Sequence, residues 1–218
     1  MHHKLQGILF DLDETLLDRT QSLIQFCQWQ ATNVFHFNQD ITQHFIQRFI
    51  ELDCNGSVWK DLVYTQLKQE FKLQQSVEEL LATYIKQFQN FCIANHQVNE
   101  TILYLYENGY KLGLISNGKS PFQEHNFQSL KLEKYFSTVI VSEAVNLRKP
   151  DLQIFHLACQ KLKLHPEQCI YIGDNEIADV RGAKNAGLTS IFYTKNDDQT
   201  SRYADKTIHQ FSELIDYL

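Results

Sequence analysis

Leu5-Gln6-Gly7-Ile8-Leu9-Phe10-Asp11-Leu12-Asp13-Glu14-Thr15 is a short apolar run that breaks abruptly into an acidic cluster. The run reads as a buried strand, and the cluster falls where that strand ends. Everything downstream sorts into two patterns relative to it.

The first pattern is helical. Residues near Gln21 to Asn95 carry helical periodicity and no convincing strand. Leu81, Tyr84, Ile85, Phe88 and Cys92 form one apolar stripe, with Ser76-Val77-Glu78-Glu79 as a capping box ahead of it. Val58, Leu62 and Phe71 predict another helix, and Asn55-Gly56 is the break before it. The second pattern alternates. A helix over Asn99 to Asn108 stops at Gly109, a strand runs from Lys111 to Ser116, and Ser120-Pro121 reads as cap and first-turn proline of a helix. Strands follow at Thr138 to Ser142, Gln168 to Ile172 and Thr189 to Tyr193. Between them lie helices at Asp151 to Leu162, with Leu152, Phe155, Cys159 and Leu162 on one face, and at Glu176 to Ala186. Phe211 to Leu218 predicts a closing helical turn.

Strands alternating with helices imply right-handed βαβ units. The fold class expected is therefore α/β: a Rossmann-like, mainly parallel sheet with helices on both faces, plus an inserted all-helical domain. The expected boundaries are 1–17 with 97–218 for the α/β core and 18–96 for the insertion.

Composition narrows the function classes. The chain has 218 residues, 43% of them hydrophobic and 21% charged, enough to bury a full core. Its net charge of −6, with scattered Lys and Arg, argues against a nucleic-acid partner, which favours a basic stripe. Cys27, Cys54, Cys92, Cys159 and Cys169 form no C-x-x-C pair and no metal-ligand spacing, and read as reduced thiols. The apolar run near the start is too short for the core of a signal peptide, and no stretch approaches the roughly 20 residues needed to span a bilayer. A cytoplasmic protein with no membrane partner is expected; oligomeric state has no signature.

Ligands of open parallel sheets bind beyond the carboxyl ends of the strands. Four polar clusters fall there: Asp11 to Thr15, Ser116-Asn117-Gly118, Arg148-Lys149-Pro150-Asp151, and Gly173-Asp174-Asn175 with Asp179 five residues past Asp174. Bringing Asp11, Asp13 and Asp174 together is costly without a cation, and oxygen ligands suit Mg²⁺. A metal beside a carboxylate, a lysine and a Ser-Asn-Gly turn with free N–H groups forms a pocket for a phosphate dianion. A carboxylate facing a phosphoryl group there can serve as nucleophile.

Asp11-x-Asp13-x-Thr15, Ser116-Asn117-Gly118, Lys149-Pro150 and Gly173-Asp174-x4-Asp179 resemble, in order and spacing, the four motifs of the haloacid dehalogenase (HAD) superfamily. The likeness covers essentially the whole chain, including a helical insertion placed as in C1-capped phosphatases. It implies a phosphatase acting on a small phosphorylated metabolite through an aspartyl-phosphate. Asp11 would be nucleophile and Mg²⁺ ligand. Asp13 would be general acid, then base, with its backbone carbonyl on the metal. Ser116 and the backbone near Asn117 would hold the phosphate, and Lys149 would neutralise charge. Asp174 would complete the metal site, Asp179 would sit behind it to orient Lys149 or a water, and Thr15 would brace the first loop.

A phosphomutase of the same fold keeps both aspartates and stays open. A haloacid dehalogenase lacks the second aspartate, and a non-catalytic phosphate-binding relative would have lost a motif residue, so both fit less well. Such relatives act on sugar phosphates, nucleotides, phosphoglycolate and cofactor phosphates. In the insertion Arg48, Trp59, Lys60 and Tyr64 flank the Asn55-Gly56 break and are candidates to reach substrate, although exposed charges and a packed tryptophan explain them as well. His36, His44, His96 and His125 show no ligand pairing.

Overall fold

A computed structural model describes residues 4–218. Two compact units divide the chain: one takes it through Leu17 and again from Ala94 to Leu218, the other is Asp18–Ile93.

The first unit is built on six strands: β1 (Gly7–Phe10), β2 (Lys111–Ser116), β3 (Phe136–Val141), β4 (Cys169–Gly173), β5 (Thr189–Tyr193) and β6 (Lys206–Ile208). They lie in the order β3-β2-β1-β4-β5-β6, and every pairing is parallel. Phe10 stands beside Leu114 on one side and Ile172 on the other, so β1, β2 and β4 end at one edge of the sheet. The chain moves outward from β1 to β3, then returns to build β4 on β1's other side. That reversal is the topological switch point where such sheets take ligands.

Both sheet faces are covered. On one, Leu9, Ile115, Ile140 and Tyr171 pack with Ile154, Phe155, Ala158, Cys159 and Leu162. On the other, Phe10 stacks on Phe211 at 6.3 Å between ring centres. A chain buried on both faces needs apolar residues at consecutive positions, which is why β1 and β4 are buried along their whole length. β6 was not expected. Its three residues include a single buried apolar side chain, Ile208, too little to mark a strand.

The helical unit comprises α1 (Arg19–Asn33), α2 (Gln39–Asp53), α3 (Lys60–Phe71) and α4 (Val77–Gln87). Asp18 caps α1 by accepting from Gln21 N, and the Ser76–Glu79 capping box opens α4. Of the stripe expected, Tyr84 and Phe88, just past the end of α4, are buried; Leu80 joins them on the inner face, while Ile85 is exposed. On α3, Leu62 is likewise exposed, while Val63, Tyr64 and Leu67 are buried. The reason is shared: aromatic packing sets the inner face. Tyr84 meets Phe26 edge-on at 5.3 Å and lies 5.0 Å from Phe88, and Phe49 meets Tyr64 at 5.4 Å. The division falls after Ile93, three residues before the expected 96, because Ala94 bridges to Leu17 and the Asn95 side chain donates to the carbonyls of Glu14 and Thr15.

The helical unit also buries an ion cluster. Arg19 donates both guanidinium arms to Asp53 at 2.8 Å, and Lys60 pairs with the same carboxylate. Burial alone would raise the Asp53 carboxyl; Arg19 and Lys60 outweigh it and hold it below the ordinary range. Asp53→Asn would leave two buried cations without their anion, so it is expected to cost about 3–5 kcal/mol. Trp29 and Trp59 are the chain's two tryptophans and both lie in this unit. Urea unfolding followed by tryptophan fluorescence therefore reads the loss directly, and an unchanged midpoint would show that the cluster is not stabilising.

The remaining helices belong to the sheet unit: α5 (Val98–Glu107), α6 (Phe122–Ser129), α7 (Ser142–Val145), α8 (Leu152–Leu162), α9 (Gly182–Asn185) and α10 (Glu213–Tyr217). Gly109 takes the left-handed φ of 82° beyond α5. Asp151 caps α8, and Leu152, expected on its inner face, is exposed. Ser120 does not cap α6. Its hydroxyl bonds Glu124 and its N–H donates to Glu143, while Pro121 takes the cap position without a side-chain bond. The helix expected over Glu176 to Ala186 is two elements: a π-helical turn over Glu176–Arg181, then α9. Among the described residues no helix is long and apolar enough to cross a membrane.

Candidate active site

The carboxyl edge of the sheet gathers Asp11, Lys149, Asp174 and Asp179 from three of the four clusters. Asp11 follows β1 directly, and its N–H donates to the Ile172 carbonyl at 2.9 Å. Lys149, from the loop before α8, reaches Asp11 Oδ1 with its Nζ at 2.5 Å. The same ammonium lies 2.7 Å from Asp179 Oδ1, 2.9 Å from the Ile115 carbonyl and 2.8 Å from the Tyr171 hydroxyl. Oxygen atoms of Asp11, Asp174 and Asp179 all lie within 4.8 Å of one another.

Burial and charge explain the protonation. Burial pushes the Asp11 carboxyl up to about 7; Lys149 pulls against it, while Asp179 and Asp13 add to it. Asp174 is raised to about 9, first by burial, then by Asp11 and Asp179. Burial disfavours the Lys149 ammonium, yet Asp11 and Asp179 outweigh it and make the group more basic than an ordinary lysine. When all three are ionised, the carboxylates around one ammonium carry two surplus negative charges. An oxygen-ligated divalent cation fits that surplus and that donor set. Asp179 already accepts from Lys149, from Tyr171 at 3.1 Å and from Asn175 N at 3.0 Å, which leaves Asp11 and Asp174 as the principal donors to such an ion.

Local structure sets each of these side chains. The π-helical turn after β4 is opened by Asn175, whose side chain accepts from Ile177 N and Ala178 N. It turns Asp179 inward against Gly173, where any Cβ would collide with the Asp179 side chain. Asn117 was expected at the phosphate. That expectation is for backbone N–H groups near it; its side chain clamps the lysine loop, donating to the Lys149 carbonyl and accepting from Lys149 N, both at 3.0 Å. Its backbone stays in the turn after β2. Thr15 was expected to brace the first loop. Its hydroxyl is buried with no hydrogen-bond partner among the described residues, and Asn95 does the bracing through backbone carbonyls. The Asp13 carboxylate is not among the clustered acidic oxygens; Gln123 Nε2 donates to its Oδ2 at 2.7 Å.

Gln123, Tyr171 and Asn95 were not singled out from sequence. Tyr171 sits inside the apolar run of β4, where a tyrosine reads as core. Asn95 and Gln123 reach partners about 80 and 110 positions away along the chain. No local pattern encodes such contacts. In the helical unit Arg48 pairs with Glu70 and Glu51 on the surface, and the Tyr64 hydroxyl donates to Gln30.

The family profile described as haloacid dehalogenase-like hydrolase matches residues 8–193. A glyceraldehyde 3-phosphate phosphatase of Pyrococcus furiosus is 25% identical, over 99% of this chain and 93% of its own. A phosphoglycolate phosphatase of Yersinia pestis is 26% identical, over 97% of this chain and 92% of its own. Among solved structures, the putative HAD-hydrolase YfnB of Bacillus subtilis bound to magnesium overlays with a TM-score of 0.78 at 21% identity, covering 99% of both chains, a likeness of fold.

Proposed function

The chain belongs to the haloacid dehalogenase-like hydrolase family, and from that premise we propose that it is a Mg²⁺-dependent phosphatase of small phosphate monoesters. The observation that carries the reading is the placement of one buried ammonium on Asp11, beside the carboxylates of Asp174 and Asp179, at the sheet's switch point. Relatives named as phosphatases at similar length support the reaction class.

In this reading a carboxylate oxygen of Asp11 attacks phosphorus while the bond to the ester oxygen breaks, and Asp13 gives that oxygen its proton. Asp13 then takes a proton from water, whose oxygen attacks phosphorus, releasing phosphate and restoring Asp11. Ser116 and the backbone of the Ser116-Asn117-Gly118 turn hold the phosphate oxygens, and Lys149 neutralises charge on Asp11 and phosphate. Asp11, Asp174 and the Asp13 carbonyl would hold Mg²⁺, whose charge offsets that of the phosphoryl group when bound. Asp179 fixes Lys149 from behind.

The test is phosphate release from a panel of phosphorylated metabolites and a generic aryl phosphate, with Mg²⁺ and with EDTA. Turnover that needs the metal is expected. No turnover of any monoester, or turnover indifferent to EDTA, would sink the proposal.

A second expectation follows from the raised carboxyls. Asp11 and Asp174 titrate near 3.8 in the unfolded chain and at about 7 and 9 when folded without metal. Between those values the folded protein holds more protons than the unfolded one, so metal-free stability falls as pH rises. A divalent ion binds the ionised carboxylates and reverses the loss. The gain in Tm on replacing EDTA by Mg²⁺ should therefore grow from pH 5 to pH 8. A gain that shrank over that range would contradict the assigned ligands.

A further inference from the structure

Gln123 is a buried side chain in the first turn of α6, and it stands between two residues assigned different tasks. Its Nε2 lies 2.7 Å from Asp13 Oδ2 and 2.9 Å from Ser116 Oγ. Its Oε1 accepts from Asn126 Nδ2 at 3.0 Å. The side chain crosses directly over Gly118, where an added Cβ would come within 2.6 Å of Gln123 Cγ. The glycine of the Ser116-Asn117-Gly118 turn thus makes room for this contact.

We propose that Gln123 is a positioning residue that sets which way the Ser116 hydroxyl points and how the Asp13 carboxyl group is turned toward the ester oxygen; the assignment rests on the phosphatase reading. A primary amide has two hydrogens on nitrogen, and here one goes to each partner. With Asp13 an anion, only the amino end of the amide can face it, and Asn126 donating to Oε1 fixes the same orientation. Ser116 Oγ, with a lone pair occupied by Gln123, turns its own hydrogen away from the amide and toward the phosphate oxygens. Asp13 Oδ2 accepts the second amide N–H, which holds the carboxyl group in one orientation for its exchange of a proton with the ester oxygen. Asn126 acts one step further back, by preventing the amide from turning over.

The two tasks separate by substrate. Cleavage of an ester with a poor alkoxide leaving group depends on protonation by Asp13, whereas a nitrophenolate leaves without it. In the Mg²⁺-loaded protein, Gln123→Met keeps the length and removes both donors. Its kcat/KM for β-glycerol phosphate is expected to fall at least about 10-fold further than its kcat/KM for p-nitrophenyl phosphate. In a Ser116→Ala background the same substitution should raise KM for p-nitrophenyl phosphate by less than it does alone, because the hydroxyl it orients is gone. A purely structural role would lower both substrates equally and act independently of Ser116. Should Gln123→Met fail to fold, Asn126→Leu leaves Gln123 in place and must show the same selective loss at smaller size. Equal losses on both esters, or none, overturn the assignment while leaving the phosphatase reading intact. A wild-type protein that hydrolyses neither ester overturns both.

Discussion

Asp11→Asn is expected to fold normally and to lose at least about 10⁴-fold in kcat/KM, which is about 5 kcal/mol or more of transition-state stabilisation. The neutral isostere keeps the shape that β1 and Lys149 enclose, but it cannot attack phosphorus. Folding should not suffer. The carboxyl it replaces is pushed up to about 7 by burial, against Lys149, with Asp179 and Asp13 adding to the rise. An uncharged group at that position relieves repulsion within the cluster, so Tm in EDTA should equal or exceed that of the wild type. The Tm gain on adding Mg²⁺ should shrink, because a principal ligand is gone. Phosphate release from an aryl ester and thermal melts in Mg²⁺ and EDTA measure both halves. Activity near the native rate would move the nucleophile elsewhere. A melt collapsing in EDTA would show that the charge on Asp11 has a structural role.

The parts of the fold legible in sequence are those where burial on two faces forces a continuous apolar run. Strands 111–116 and 189–193 were read at their observed limits, and Gly109 marks the end of α5 because its left-handed φ leaves few alternatives. The residues of the acidic edge were legible as well, since turns at strand ends collect polar side chains that a core cannot hold. Helix faces were read less well. Ile85 and Leu62 are apolar and exposed, while Tyr84 and Tyr64 point inward, because edge-to-face aromatic packing decided the rotation and hydropathy alone does not see it. The π-helical turn is illegible in sequence for a different reason. Its cause is the inward carboxylate of Asp179, held by Lys149, Tyr171 and the backbone at Asn175, and the lysine lies 30 positions away in sequence. Contacts of that range are products of the finished sheet.

Lys149→Met carries the other large effect, and it should appear in both rate and stability. The ammonium touches Asp11, Asp179, Tyr171 and the Ile115 carbonyl, and its side chain is almost wholly buried. Without it, Asp11 and phosphate lose the buried ammonium that neutralises them, and kcat should drop by about 10² to 10³ or more. The structural cost depends on pH. At pH 5 the raised carboxyls of Asp11 and Asp174 are protonated in the folded protein, so the missing ammonium leaves less uncompensated charge than at higher pH. At pH 8 the variant must either hold those groups protonated against solvent or bury them ionised, and breaking such a pair costs about 3–5 kcal/mol. Melts in EDTA should therefore place the variant further below the wild type at pH 8 than at pH 5. Lys149→Arg should not restore the rate, because a planar fork cannot meet oxygens arranged around a point charge in so small a space. If instead the Met variant lost the same stability at both pH values, its cost would come from packing, and the ammonium would not be what holds the carboxylates together.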